Sequence, residues 1–209
     1  MSKVGDYVFF TENGTKYLLS YLGKEKQLTL PVVDGGYEIY QNAFIYSTCE
    51  KIIVAEGVTK INNKAFSNCT ELTELQLSST VTSLSSNALY VCRKIEKITV
   101  DVNNQVYSSL DGILYNKDVT EIILVPYSIQ GEIVIPDTVT VIPEEAFCEC
   151  ESVTAVILPV GLLEIKDYAF CYCPSLTIIR YNGTQEQWDA IVKGEGWNED
   201  TDCSIECLG

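Results

Sequence analysis

The chain has 209 residues, with 29 Asp and Glu against 14 Lys and Arg, a formal charge of −15 and no histidine. That balance excludes the basic clusters that neutralise nucleic-acid phosphates or hold a protein on an anionic bilayer, and the missing imidazole excludes Ser-His-Asp, Cys-His and histidine-metal chemistry. Apolar residues at 46 % and charged residues at 21 % are ordinary globular usage, enough for one large domain or two small ones.

At the start, Tyr7-Val8-Phe9-Phe10, the turn dipeptide Asn13-Gly14 and a second run over 17–21 predict a β-hairpin. The first run is too short for the core of a signal peptide, and no stretch approaches the ~20 apolar residues of a membrane-spanning helix. The expectation is a soluble chain with no membrane insertion.

Sliding the chain on itself exposes a repeat. Ala-Phe or a close variant recurs at Ala43-Phe44, Ala65-Phe66, Ala88-Leu89, Ala146-Phe147 and Ala169-Phe170, at spacings of 22, 23, 58 and 23 residues. Four residues after the Ala stands Cys69, Cys92, Cys150 or Cys173, with Ser47 in the first copy. Apolar columns accompany it, among them Leu75, Ile98, Val156 and Ile179 after the Ala and Ile39, Ile61, Leu84, Ile142 and Ile165 before it. The L-x-x-L-x-L stretch predicts a short strand with alternate residues inward, and the V-x-x-I stretch a second extended segment on the opposite side of the coil. One such unit cannot bury its apolar face alone, so neighbours must stack in parallel and share a core.

The 58-residue gap holds a predicted hairpin of residues 111–115 and 120–125 with a polar turn at Asn116-Lys117-Asp118, after which 131–136 (GEIVIP) leads into the next repeat. In the tail, Thr184 with Gln187 forms a capping-box pattern, and Trp188, Ile191 and Val192 share one predicted helical face that Gly194 ends. Residues 182–209 are expected to cover the apolar end of the stack, with Trp188 and Trp197 supplying area.

These residues resemble the BspA-like leucine-rich repeat family, whose units read approximately I-x-x-x-A-F-x-x-C-x-x-L-x-x-V-x-I-P-x-x-V-x-x-I; the best matches are residues 65–84 and 146–165. The Tyr107-to-Pro136 segment and the Tyr181-Asn182-Gly183-Thr184…Trp188 ending are similar to features of that family. The usual Pro after the strand is retained only as Pro159. The resemblance implies a leucine-rich-repeat, β-rich solenoid of right-handed stacked rungs with hairpin insertions and a short C-terminal capping helix. One domain over 1–209 is expected: a hairpin and cap region over 1–42, repeats over 43–181 with the insertion at about 103–136, and a cap over 182–209. It also implies a non-catalytic scaffold that binds a protein ligand, adhesin-like and at the cell surface or secreted, as members mostly are in bacteria and protozoa, although the given chain shows no leader. The alternatives are a glycan-binding surface module, for which Tyr90, Tyr107, Tyr115, Tyr127 and Tyr172 would offer rings, or an intracellular protein-interaction module.

Nine cysteines cannot all pair within the chain. The ladder set Cys69, Cys92, Cys150 and Cys173 reads as small buried thiols. Cys148 and Cys171 also stand one repeat apart, but alternate residues of an extended C-x-C straddle the coil, so no zinc site is expected. No phosphate loop, nucleophile elbow or metal-ligand helix occurs, so neither catalysis nor a cofactor is expected. Binding falls instead to strand residues between the inward positions: Glu74 and Gln76, Lys97 and Thr99, Ala155 and Ile157, and Ile178 and Arg180 face outward in this reading, with an apolar strip at Ala155, Ile157 and Ile178. The pattern points to a protein ligand without naming it, and sets no oligomeric state.

Overall fold

Alternating apolar residues at a period of about 23 become parallel strands stacked in register, because each rung buries its inward side chains against the rungs beside it. The computed structural model describes residues 1–209, which divide into two units, Met1–Ser109 and Leu110–Gly209.

In the first unit, β1 (Ser2–Val4), β2 (Tyr7–Glu12) and β3 (Thr15–Tyr21) form an antiparallel meander with the expected turn at Asn13-Gly14, both at positive φ. The chain then alternates between two sheets through β4 (Gln27–Thr29), β5 (Tyr37–Ile39), β6 (Lys51–Ile53), β7 (Val58–Ile61), β8 (Glu74–Leu77), β9 (Ser83–Leu84) and β10 (Lys97–Val100), and ends in β11 (Tyr107–Leu110), where the boundary falls. The order β4-β6-β8-β10 is parallel and stacks Leu28, Ile52, Leu75 and Ile98 inward; β3-β5-β7-β9 is parallel and stacks Leu18, Ile39, Ile61 and Leu84. Residues 27–39, expected as a cap region, thus already supply strands to both stacks.

The second unit opens with β12 (Ile113–Asn116) and β13 (Ile122–Leu124), the predicted hairpin, its turn held by Asn116 Oδ1 accepting from the amides of Thr120 and Glu121. There follow β14 (Gln130–Val134), β15 (Val141–Ile142), β16 (Ser152–Leu158), β17 (Glu164–Ile165), β18 (Ile178–Tyr181), α1 (Gln185–Ala190), β19 (Val192–Lys193) and β20 (Ser204–Cys207). The sheets are β14-β16-β18-β20 and β15-β17-β19, all parallel. Ile133, Val156, Ile179, Phe147 and Phe170 belong to one buried cluster with Trp188.

Between the sheets, each Ala-Phe-x-x-Cys segment is a tight corner. Residues just before the Ala and three after it lie in the left-handed region, including Lys64 and Asn68, Glu145 and Glu149, and Tyr168 and Tyr172. No glycine occupies these positions; Val91 is a β-branched residue at φ 61°, a strained choice. The Phe rings stack within each unit: Tyr21–Phe44–Phe66 at 5.7 and 5.2 Å, and Phe147–Phe170–Trp197 at 5.0 and 6.3 Å. Each Phe amide donates to the next corner, as Phe66 to Ala88 and Phe147 to Ala169. The carbonyls of Phe44, Phe66 and Phe147 each accept an amide of their own turn and, at 3.0 Å, a thiol from the next rung: Cys69 to Phe44, Cys92 to Phe66, Cys173 to Phe147. The cysteine column is therefore a column of small donors that satisfy buried carbonyls, which a plain apolar residue would leave half-paired.

The tail departs from expectation. The capping box is present: Thr184 Oγ1 accepts the Gln187 amide, and Gln187 Oε1 accepts the Thr184 amide. The helix stops at Ala190, however; Ile191 is extended and Val192 lies exposed in β19. The strand wins because Val192 and Lys193 pair with Glu164 and Ile165, and Lys193 Nζ closes the helix end by donating to the carbonyls of Trp188 and Ile191. Gly194 is required by proximity, since a Cβ there would meet the Asp167 amide nitrogen at 2.4 Å. Residues 192–207 thus form one more rung. Trp197 holds the Phe position, and Thr201 stands in for cysteine, its hydroxyl donating to the Phe170 carbonyl at 2.6 Å and accepting the Cys173 amide.

Candidate functional site

Parallel register converts the outward strand positions into rows that run across the rungs. In the first unit, one row is Gln27, Lys51, Glu74, Lys97 and the next is Thr29, Ile53, Gln76, Thr99. Glu74 sits between two ammonium groups, 3.1 Å from Lys51 and 3.3 Å from Lys97. Burial works against its ionisation, yet these two contacts outweigh it and hold the carboxyl below the usual range. The sequence placed Glu74, Gln76, Lys97 and Thr99 on one face, and the structure does the same. Lys51 and Ile53, which complete that face, escaped notice because their rung lacks the L-x-x-L-x-L signature.

In the second unit the rows are Glu132, Ala155, Ile178, Ser204 and Val134, Ile157, Arg180, Glu206. Arg180 donates from one amino group to Glu132 at 2.6 Å and from Nε to Glu206 at 3.2 Å, so its guanidinium clasps carboxylates from β14 and β20. One expectation needs correction. Ala155 is 5 % exposed and offers no surface, because its short side chain lies between the longer Glu132 and Ile178. Arg180 faces outward as expected and is the centre of an ion-paired bridge. Ile157 and Ile178 are partly exposed as expected, and Val134, 54 % exposed beside Ile157, extends the apolar strip. The one-repeat offset between 131–136 and β16 was the signal that places Val134 there.

The tyrosines of the glycan-binding alternative divide into two groups. Tyr107 and Tyr115 are buried, the hydroxyl of Tyr107 accepting the Leu84 amide, and so cannot be stacking platforms; Tyr90 and Tyr172 are exposed, with Lys64 Nζ lying 4.7 Å from the Tyr90 ring centroid. All nine cysteines are free thiols, and no group of three or more Cys, Asp or Glu side chains is arranged to hold a metal ion. No helix is long and apolar enough to cross a membrane.

With the stacked corners and rows in place, the sequence profile of the BspA type leucine-rich repeat region matches residues 37–131 and 127–190, in six copies. The chain belongs to the BspA-type leucine-rich repeat family. Among curated proteins, none matches it in sequence. Solved structures share the fold: a leucine-rich repeat protein from Eubacterium ventriosum (19 % identity, 82 % of this chain and 51 % of that one, TM-score 0.64), the leucine-rich repeat protein TpLRR of T. pallidum (20 %, 93 % and 86 %, 0.57) and the pneumococcal vaccine antigen PcpA (16 %, 82 % and 60 %, 0.52). The chain spans about half the length of the Eubacterium protein and three fifths of PcpA. This BspA-type chain is thus a repeat scaffold whose side-chain rows stand on parallel sheets in register.

Proposed function

We propose that this BspA-type scaffold is a non-catalytic, adhesin-like module that binds a protein ligand through the outer face of β14-β16-β18-β20. The observation that carries the reading is the row Val134–Ile157 beside Ile178, an apolar strip flanked by the Glu132–Arg180–Glu206 bridge. Apolar side chains held on a rigid sheet lose little entropy when covered, and a charged rim supplies orientation. Glu74, Gln76, Lys97 and Thr99 form a second, more polar face, suited to orienting contacts rather than to anchoring.

A peptide library displayed on phage, selected on the intact chain, tests the assignment. Selected peptides are expected to lose tenfold or more in affinity for Ile157→Glu plus Ile178→Glu, and less for Glu74→Gln. Peptides that bind the double variant unchanged, while its circular dichroism is that of the parent, discard this face.

A further inference from the structure

Two thiols in the second unit serve neither the carbonyl ladder nor the sheet face. Cys148 and Cys171 occupy the same corner position on consecutive rungs. The strands on both sides of that corner pair at a 23-residue offset, Val141 with Glu164 and Ala155 with Ile178. The corner itself is stitched by the Phe147 amide to the Ala169 carbonyl at 2.8 Å and the Glu149 amide to the Cys171 carbonyl at 3.0 Å. Consecutive rungs lie about 4.8 Å apart, inside the Cα range that a disulfide spans.

Exposure separates Cys148 from the four ladder thiols. Cys69, Cys92, Cys150 and Cys173 are buried and engage backbone carbonyls, whereas Cys148 is partly open to solvent and Cys171, at the same corner position on the next rung, is buried. An accessible thiol backed by a second one is the arrangement of an attacking and a resolving cysteine.

We propose that Cys148 and Cys171 form a reversible redox site that takes a low-molecular-weight disulfide as its co-substrate and closes into an inter-rung staple. Cys148 loses its proton to solvent and its thiolate attacks one sulfur of the small disulfide, forming a mixed disulfide and expelling one thiolate. Cys171 then loses its proton and attacks the Cys148 sulfur, forming the Cys148–Cys171 bond and expelling the second thiolate. The protein gives up two electrons and two protons, and the small disulfide is reduced to two thiols. In-register rungs do not offer the ideal torsion, so the bond is expected to be readily reduced again.

The surroundings set the rate. Burial, the neighbouring Cys171, and the charges of Glu149 and Glu145 push the Cys148 thiol up to about 12; Cys150, Cys173, Tyr168 and Tyr172 are the other titratable groups near the pair. Thiolate is scarce at neutral pH, so closure should quicken as pH rises.

The test uses the full chain with Cys203→Ser and Cys207→Ser, which removes the other partly exposed thiols, exposed to oxidised glutathione and mapped by mass spectrometry under non-reducing conditions. A Cys148–Cys171 cross-linked peptide, formed faster at higher pH and opened by dithiothreitol, is the expected result. With Cys171→Ala, glutathione should remain on Cys148. A stable glutathione adduct on Cys148 in the chain that retains Cys171, a bond from Cys148 to another cysteine, or no reaction at Cys148 would each overturn the proposal.

Discussion

The two units close their last rungs by opposite means. In the first, the turn after β10 carries Asn104, fully buried, whose amide nitrogen donates to the carbonyls of Ser78 and Val81, each at 2.9 Å, and whose oxygen accepts the amides of Val106 and Tyr107. In the second, Trp188 and Trp197 meet edge to face at 6.0 Å over the aromatic stack, and the single hydroxyl of Thr201 completes the carbonyl ladder. One end is finished by polar satisfaction and the other mainly by aromatic area. The difference teaches that a rung repeat fixes the interior of a stack but leaves its termination to local chemistry.

The polar solution should be the more fragile. Asn104→Ala strands two carbonyls and two amides in a buried place, and each buried group left unpaired costs about 1–3 kcal/mol. An expected loss of roughly 3–5 kcal/mol, read by urea unfolding followed by far-UV circular dichroism, breaks the comparison if it comes out below about 1 kcal/mol, for then water replaces the amide and Asn104 finishes nothing.

In the second unit the corresponding change is smaller. Thr201→Val keeps the shape and removes the hydroxyl, leaving the Phe170 carbonyl and the Cys173 amide short of a partner, at a cost of about 1–3 kcal/mol. Thr201→Cys restores the donor used on the inner rungs and should recover most of that loss in the same unfolding measurement. If valine and cysteine behave alike, the rung equivalence drawn between Thr201 and Cys173 fails.

How far these features could be read from the chain follows from their range. The Ala, Phe and Cys columns and the hairpin turn at Asn13-Gly14 are local or periodic signals, and the stacks they predict are present. The rung over 192–207 was hidden because Trp197 replaces Phe, Thr201 replaces Cys, and the repeat stretches to 27 residues between Phe170 and Trp197. The early end of α1 was hidden because pairing with β17 overrides the apolar helical face. On the candidate face, alternation placed Ile157 and Ile178 correctly. It placed Arg180 outward too but said nothing of its ion pairs, which depend on Glu132 across an intervening strand. Asn104 bonds to residues 23 and 26 positions back, and no pattern announces such a side chain.

The outer faces extend the contrast, and there the smallest effect is expected. In the first unit a carboxylate lies between two cations, Lys51–Glu74–Lys97; in the second a cation lies between two carboxylates, Glu132–Arg180–Glu206. Because the folded Glu74 carboxyl titrates below its unfolded value, its contribution is present above the unfolded pKa of about 4.3 and fades as pH falls through the lower folded value. Partly exposed pairs contribute about 0.2–1 kcal/mol, so Glu74→Gln should cost no more than about 1 kcal/mol at neutral pH. The gap between parent and variant should narrow below about pH 4 and shrink in high salt. A gap that holds constant across acid pH would mean that Glu74 acts by packing its stem across the strands rather than by charge, and the ion-pair ladder would then have no part in holding the first unit's face.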